Sequence, residues 1–263
     1  MDYIKKNKAF WDDRTGYHVK SEFYDQDSFL KGRSSLNPIE LDLLGDVRGK
    51  SILHLQCHFG QDSMSLARMG AQVTGVDLSD KAIEYARNFA EELDLDVDFV
   101  CCNVYDLPKH LNREFDIVFT SYGTIVWLPD LTQWADLIGN YLKPGGRFVM
   151  AEFHPFMWMF DDDFKGIKYP YDSKEPIIET TSESYASEGQ GKVVEEVTWN
   201  HSLSSVMQNL LDQGLLLDRF QEYEYSPYNC VAHMEGVGEN RWIVKPLGSN
   251  FPLVYGLVYR KDQ

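Results

Sequence analysis

The sequence lacks long apolar runs and has few cysteines. No window approaches the roughly 18 uninterrupted apolar residues that a membrane-spanning helix needs, and the first residues show no apolar segment or cleavage site of a signal peptide. The four cysteines, Cys57, Cys101, Cys102 and Cys230, show no disulfide framework of the kind found in small secreted domains. We therefore expect a cytoplasmic protein with reduced thiols and no membrane partner.

Basic residues are also scarce relative to acidic ones. The chain has 25 Lys and Arg residues but 41 Asp and Glu residues, which gives a formal net charge of −16. No cluster of Lys or Arg forms a local exception, and an acidic surface repels the phosphate backbone of nucleic acids. We therefore expect a small-molecule substrate and no nucleic-acid partner.

What the chain does have is a regular alternation of strand-like and helical patterns from Ser51 to about Phe153. Strands that alternate with helices form parallel sheets covered on both faces. We predict an α/β, Rossmann-like, doubly wound fold with a mostly parallel seven-stranded sheet and helices on both faces. The strands are predicted at 51–55, 71–76, 97–101, 115–119 and 147–151, and the helices at 61–69, about 80–93 and 131–142, the last ending at a turn over 143–146.

The rhythm changes after His154. Two extended segments on either side of Glu188–Gly191 predict a β-hairpin, and the stretch 226–252, rich in proline and glycine, is predicted as a long loop. We predict one domain over 1–263, made of an N-terminal cap (about 1–45), a core sheet (about 46–153 and 201–263) and an inserted lid (about 154–200). The later elements are predicted as extended segments at 177–185 and 192–200, a helix at about 202–213, and strands at 215–225 and 253–260.

The loop after the first strand reads His-Leu-Gln-Cys-His-Phe-Gly-Gln-Asp over 54–62. Ligands of doubly wound folds bind at the carboxyl ends of the strands, and dinucleotides require G-x-G-x-x-G at this point. Here the single glycine is Gly60, and Asp62 in the first helical turn would repel a pyrophosphate. The carboxylate of Asp77, at the end of the second strand, can accept hydrogen bonds from both hydroxyls of a ribose. The pattern therefore favours a nucleoside ligand other than a dinucleotide.

Four further segments, in order along the chain, resemble the motifs of class I S-adenosylmethionine (SAM)-dependent methyltransferases. They are Val73–Ser79, Asn103–Pro108, Phe115–Ser121 and Leu142–Arg147. The first loop departs from the D-x-G-x-G-x-G of that family, with His54, Gln56 and His58 in place of the acid and two glycines, and resembles a bacterial branch with this same His-Leu-Gln-Cys-His-Phe-Gly loop.

The resemblance implies SAM as cofactor, S-adenosylhomocysteine (SAH) as product, and in-line methyl transfer to an O, N or C atom of a small acceptor. Asn103 would meet the adenine beside Val104, Leu78 would pack on the nucleoside, and an aromatic residue of the N-terminal segment would close the pocket. The expected cofactor-binding residues are Trp11, Tyr17, Gln56, His58, Gly60, Asp62, Asp77, Leu78, Asn103, Val104, Ser121 and Tyr122.

Methyl transfer needs alignment and exclusion of water, and needs a general base only when the acceptor must lose a proton. The candidates are Tyr122, Glu152 and His154, which follow or end the fourth and fifth strands. The aromatic run 156–160 is interpreted as a pocket wall or as a loop that packs its own core.

Several alternatives remain open. A non-catalytic partner protein with a degenerate cofactor loop is one, and a nicotinamide-dependent oxidoreductase or an aminopropyl transferase is another. His54, Cys57 and His58 match no common zinc module, so we expect no metal. Either a monomer or a homodimer is compatible with the sequence.

Overall fold

A computed structural model describes residues 2–182, 185–186 and 191–263. Its strands are β1 (Ser51–Leu55), β2 (Gln72–Asp77), β3 (Val97–Cys101), β4 (Phe115–Ser121), β5 (Leu142–Phe153), β6 (Ile177–Thr181), β7 (Val194–Thr198), β8 (Leu216–Tyr223), β9 (Met234–Gly238), β10 (Arg241–Val244) and β11 (Val254–Arg260). Its α-helices are α1 (Tyr3–His18), α2 (Gln26–Leu30), α3 (Pro38–Leu44), α4 (Gln61–Arg68), α5 (Asp80–Glu92), α6 (Leu131–Tyr141) and α7 (Leu203–Asp212).

A seven-stranded sheet forms the centre, in the order β3-β2-β1-β4-β5-β11-β8. Neighbouring strands from β3 to β5 are parallel, whereas β11 runs antiparallel to both β5 and β8. The strand order reverses next to β1, so the loops after β1 and β4 diverge and leave a crevice between them. The predicted Rossmann-like fold is confirmed.

The helices cover both faces of this sheet because each has one apolar stripe. Ala82, Ile83, Ala86 and Ala90 form the buried stripe of α5, and the Ser79 side chain caps the helix by accepting from the Ala82 N–H at 3.0 Å. One core cluster joins α6 and α7 to the sheet, and another joins α3 and α4 to its opposite face. The crevice therefore opens at the edge of a rigid, two-sided core.

Two local predictions are wrong. Residues 143–146 do not form a separate turn but the irregular start of β5, where Leu142 pairs with Phe115, Arg147 pairs with Ile117, and Gly145 takes a φ of 74°. The stretch 226–252 is not a simple loop, because β9 and β10 pair as an antiparallel hairpin within it.

The N-terminal helix is fastened to the predicted lid. The Asn7 amide donates to the Val197 carbonyl at 2.8 Å and accepts from the Val197 N–H at 2.9 Å. Buried Arg14 donates to the Thr181 carbonyl at 2.9 Å. The predicted hairpin is present as β6 and β7, although Glu188–Gln190 of its connection lie outside the described residues. The division into cap, core and lid stays a prediction.

None of the helices in the described ranges is both long enough and apolar enough to cross a bilayer.

Candidate cofactor and acceptor site

A cavity of about 300 Å³ lies at the carboxyl ends of β1, β2, β3 and β4, beneath α1. One part, which we call the loop end, is lined by Trp11, Gln56, His58, Gly60, Asp77, Leu78, Asn103, Val104 and Trp127. The other part, the aromatic end, is lined by Phe23, Tyr24, Tyr122, Phe153, Trp158, Tyr185 and Tyr228. Asp62 and Ser121 also line the cavity.

The first loop has the backbone conformation of a glycine-rich loop, although two of the usual glycine positions carry other residues. Gln56 and His58, at the positions of the two missing glycines, have φ values of 55° and 51°, and Gly60 has a φ of 79°. Side chains with positive φ are uncommon and cost about 1–3 kcal/mol each, and such residues concentrate at functional sites. At Gly60 a Cβ would lie 2.6 Å from the Phe99 ring, so a side chain does not fit there.

The side chains of this loop are directed by specific hydrogen bonds. The Gln56 amide donates to the Thr124 carbonyl at 2.7 Å, while its buried Oε1 finds no hydrogen-bond partner in the described part of the chain. His58 Nε2 lies 3.0 Å from His18 Nδ1, so one imidazole donates and the other accepts. Burial lowers the pKa of His58 well below its usual range and that of His18 to about 3, so both rings are neutral.

Asp77 lines the loop end from the end of β2. Its Oδ2 accepts from the His58 N–H at 2.8 Å and its Oδ1 from the Ser79 N–H at 2.9 Å, so each oxygen keeps a lone pair for a ligand. Burial raises the pKa of Asp77 to about 6, although these backbone donors oppose the shift. A ligand that donates two hydroxyl hydrogens would stabilise the carboxylate.

The segment after β3 forms the opposite wall. Asn103 caps a short 3₁₀ helix (Val104–Lys109), because its Oδ1 accepts from the Tyr105 N–H at 3.3 Å. Val104 is buried and adds an apolar surface, and Leu78 approaches from the end of β2. Val104 and Leu78 therefore give this side of the cavity an apolar surface, with the Asn103 amide beside it.

One face of α1 covers the loop end. Tyr3, Ile4, Asn7 and Trp11 recur at three- and four-residue spacing and all line the cavity. The Trp11 ring lies 5.1 Å from that of Trp127 and 5.2 Å from that of His58, measured between centroids. The structure places Tyr17 elsewhere, in a surface depression beside Lys20 and Tyr85. Of the two proposed aromatic covers, therefore, Trp11 lies over the cavity and Tyr17 does not.

Asp62 and Ser121 meet where the two ends join. The Asp62 carboxylate accepts from the Ser35 hydroxyl at 2.6 Å and from the Ser121 hydroxyl at 3.2 Å. This carboxylate gives the junction a pair of hydrogen-bond acceptors that carry negative charge. A cationic group of a ligand is the chemistry that such a junction stabilises.

At the aromatic end, Tyr122 makes a contact that the sequence interpretation missed. Tyr122 has a φ of 41°, and its hydroxyl donates at 2.8 Å to Oε2 of Glu40, a fully buried carboxylate on α3. Burial, followed by the charge of Asp62, raises the pKa of Glu40 to about 7. Glu40 belongs to the Asn37–Glu40 capping box, which in sequence indicates only the start of a helix.

The other two candidate bases lie behind the site. The Glu152 carboxylate accepts at 2.8 Å from the Thr124 N–H and at 2.7 Å from the Phe153 N–H, which fixes the loop after β4. His154 Nδ1 accepts from the Phe156 N–H at 3.1 Å, and its Nε2 donates to Glu222 at 3.1 Å. Neither side chain is among the described residues that line the cavity, so the structure gives both of them structural contacts instead.

The residues considered as metal ligands make other contacts or are buried. His54 Nδ1 pairs with the Ser63 hydroxyl at 2.8 Å, and burial raises the pKa of the Cys57 thiol well above its usual range. In the ranges the structure covers, no three His, Cys, Asp or Glu side chains are arranged to hold a metal ion.

A parallel sheet with one antiparallel strand near its edge, and an acidic residue at the end of β2 facing the cavity, define the class of protein. The fold is that of the class I SAM-dependent methyltransferases. The family model described as methyltransferase domain matches residues 52–146, a segment that includes Gln56, Asp77 and Asn103. Membership in the branch with the His-Leu-Gln-Cys-His-Phe-Gly loop stays a prediction.

Curated proteins that match part of the chain are named as O-methyltransferases. The chain is 33% identical over 136 residues to a ubiquinone biosynthesis O-methyltransferase of Xanthomonas oryzae, an alignment that covers 51% of this chain and 56% of that protein. The corresponding Coxiella burnetii protein is 34% identical over 125 residues, with 46% and 53% covered. The chain thus spans little more than half the length of these curated relatives.

Solved structures share the whole fold at low identity. A SAM-dependent methyltransferase from Mesorhizobium loti matches with a TM-score of 0.59 and 21% identity over 88% of this chain and 100% of that one. The geranyl diphosphate C-methyltransferase of Streptomyces coelicolor, solved with SAH, matches with a TM-score of 0.62 and 13% identity over 99% and 98%.

Proposed function

We propose that this protein transfers the methyl group of SAM to a small-molecule acceptor. The observation that carries the proposal is the loop end of the cavity, which Asp77 and Asn103 line from the ends of neighbouring strands and which Gln56 also lines, its buried Oε1 having no hydrogen-bond partner among the described residues. That arrangement offers acceptors for a ribose and an ammonium group, and an amide for an adenine. The domain match over 52–146 covers these three residues.

The residues fit SAM part by part. Asp77 would accept from the ribose hydroxyls, Asn103, Val104 and Leu78 would hold the adenine, and Trp11 would cover the nucleoside. Gln56, Asp62 and Ser121 would hold the charged methionine portion, with the positive-φ backbone of His58 and Gly60 beside it. When bound, SAM supplies an activated methyl group on a sulfonium. The protein contributes alignment and a dry cavity.

The aromatic end would hold the acceptor. Its rings offer apolar surface, while Tyr122 and its partner Glu40 offer a polar contact. Similar proteins are named for O- and C-methylation, and we infer an O, N or C atom of a small molecule here. The net charge of −16 argues against a nucleic-acid substrate. We further propose a cytoplasmic monomer or homodimer.

The test is production of SAH from SAM during incubation with pools of small hydroxyl-, amine- and enol-bearing aromatic compounds. This product is the same whichever acceptor is used, so a single assay covers every compound in the pools. We expect at least one pool to raise SAH production above the background, and Asp77→Ala to abolish the increase. If the wild-type protein bound SAM but no pool raised SAH production, transfer to this class of acceptors would be contradicted.

A further inference from the structure

Glu40 is a buried carboxylate placed directly behind the aromatic end. It is 0% exposed and is not among the described residues that line the cavity, whereas its hydrogen-bond partner Tyr122 is. The contact joins residues 82 positions apart, from α3 and from the end of β4. The capping box accounts for one oxygen of Glu40, and its second oxygen serves Tyr122 alone among the described residues.

The donors around Glu40 occupy Oε1 and leave Oε2 for the Tyr122 hydroxyl. Asn37 donates its backbone N–H at 2.8 Å and its side-chain amide at 3.1 Å to Oε1. Oε2 accepts the hydroxyl hydrogen of Tyr122 at 2.8 Å. A phenol has a single proton, so while Glu40 is ionised and holds that proton in a hydrogen bond, the Tyr122 oxygen can only accept from a molecule in the cavity.

We propose that Tyr122 and Glu40 form a two-member proton relay that accepts the proton of a hydroxyl-bearing acceptor as its oxygen is methylated. Tyr122 is the group that contacts the acceptor, and Glu40 is a positioning residue that acts through it. The proposal rests on the proposed function, because it assigns the acceptor atom for the same site.

The step balances in atoms and charge. The acceptor oxygen forms a bond to the methyl carbon, and the carbon–sulfur bond breaks with its electron pair left on sulfur. The acceptor hydroxyl proton passes to the Tyr122 oxygen as the original Tyr122 proton passes to Glu40 Oε2. The positive charge lost from the sulfonium is matched by the negative charge lost from the Glu40 carboxylate, and after product release the proton returns through the Tyr122 hydroxyl to water entering the cavity.

The surroundings suit a group that takes up and returns a proton near neutral pH. The ionisable groups around Glu40 are Tyr122, Tyr228, Tyr223 and Asp62, and Asn37 also donates to the Tyr228 hydroxyl at 2.7 Å. Burial and the negative charge of Asp62 raise the pKa of Glu40 to about 7. Burial raises the pKa of Tyr122 well above its usual range, so Tyr122 passes a proton on rather than remaining ionised.

The experiment measures the ionisation of a bound phenol without turnover. The protein is saturated with SAH and titrated at about pH 7.5, where Glu40 is mostly ionised, with 4-hydroxyacetophenone, a phenol that is mostly protonated when free at this pH and whose near-ultraviolet spectrum distinguishes phenol from phenolate. We expect the wild-type complex to show the phenolate band, and Glu40→Gln and Tyr122→Phe to bind the probe without that band. Calorimetric titration with SAH and thermal unfolding are run on each variant.

The matched control is Tyr141→Phe. Tyr141 is buried and its hydroxyl also donates a 2.8 Å hydrogen bond, to the Leu111 carbonyl outside the cavity, so this variant should keep the band. An equal phenolate band in Tyr122→Phe or Glu40→Gln would overturn the relay. So would a protonated probe, or no probe binding, in a wild-type protein that binds SAH. Failure to bind SAH would instead count against the proposed function itself.

Discussion

The two ends of the cavity differ in how the chain builds them. Apart from its two tryptophans, Trp11 on α1 and Trp127 after β4, the loop end comes from the segments that directly follow β1, β2 and β3, within a few residues of a strand end. The aromatic end collects residues from the N-terminal segment, β4, β5, the lid and the loop after β8. A regular βαβ framework therefore fixes one end, while the other depends on long-range packing.

The largest expected effect concerns the loop end. Asp77→Ala should weaken SAM binding by at least about 100-fold, because charge-assisted hydrogen bonds contribute about 1.5–3 kcal/mol each and Asp77 is proposed to accept two. Calorimetric titration with SAM measures the change. Asp136→Ala, at an exposed position on α6, serves as the matched control and should bind like the wild type. Wild-type affinity in Asp77→Ala would remove the ribose contact from the account.

Glu40, which lies behind the aromatic end, should make the stability of the protein depend on pH. The pKa of Glu40 is raised to about 7 from 4.5, so the folded state binds the proton more tightly than the unfolded state. Relative to Glu40→Gln, the wild-type protein should lose up to about 3 kcal/mol of unfolding free energy as the pH rises from about 4.5 to 7. Urea unfolding across this range measures the difference, and a difference independent of pH would contradict it.

A smaller effect separates the cavity face of α1 from the rest of that helix. Trp11→Ala should weaken SAM binding about tenfold, because the indole covers the loop end and such aromatic contacts are worth about 1 kcal/mol or more. Tyr17→Ala, in the same helix but outside the cavity lining, should change the affinity by less than about twofold. Calorimetry on both variants decides which residue closes the pocket. Equal losses of SAM affinity in the two variants would mean that the effect comes from helix α1 as a whole and not from the Trp11 ring.

The smallest effect is expected at His154, which the sequence suggested as a base. Loss of a general base costs about 100-fold or more in rate. Because both ring nitrogens are engaged with Phe156 and Glu222 behind the cavity, His154→Gln should lower SAH production per folded molecule by less than about twofold. The rate is normalised to the folded fraction measured by circular dichroism. A drop in rate of about 100-fold would indicate that His154 acts as a general base after all.

The same contrast explains what the sequence could predict. The sheet, and the positions of Asp77 and Asn103 at strand ends, follow from local periodicity, and the family resemblance covered the same segment. The positive φ of Gln56 and His58 is consistent with their replacing glycines. Local patterns carry no information on the pairing of Glu40 with Tyr122, because it depends on how α3 packs against the end of β4. Glu152 and His154 stood at plausible positions but face the protein interior.

The β9–β10 hairpin was missed for a related reason. Strand β9 is mostly exposed and contains Gly236 and Gly238, and β10 has only four residues, so no alternation of buried and exposed residues indicates them. The left-handed Asn240 in the connection, with a φ of 50°, is the local signal that was available.

The most direct test of the central claim is calorimetric titration of the wild-type protein with SAM, with NAD as the control ligand. The claim is that the cavity binds SAM although side chains occupy two glycine positions of the first loop. We expect one SAM per chain with micromolar affinity, equivalent to about −8 kcal/mol, and no heat with NAD. A well-folded protein that binds no SAM would contradict the account, because Gln56 and His58 would then close the site that Asp77 and Asn103 form.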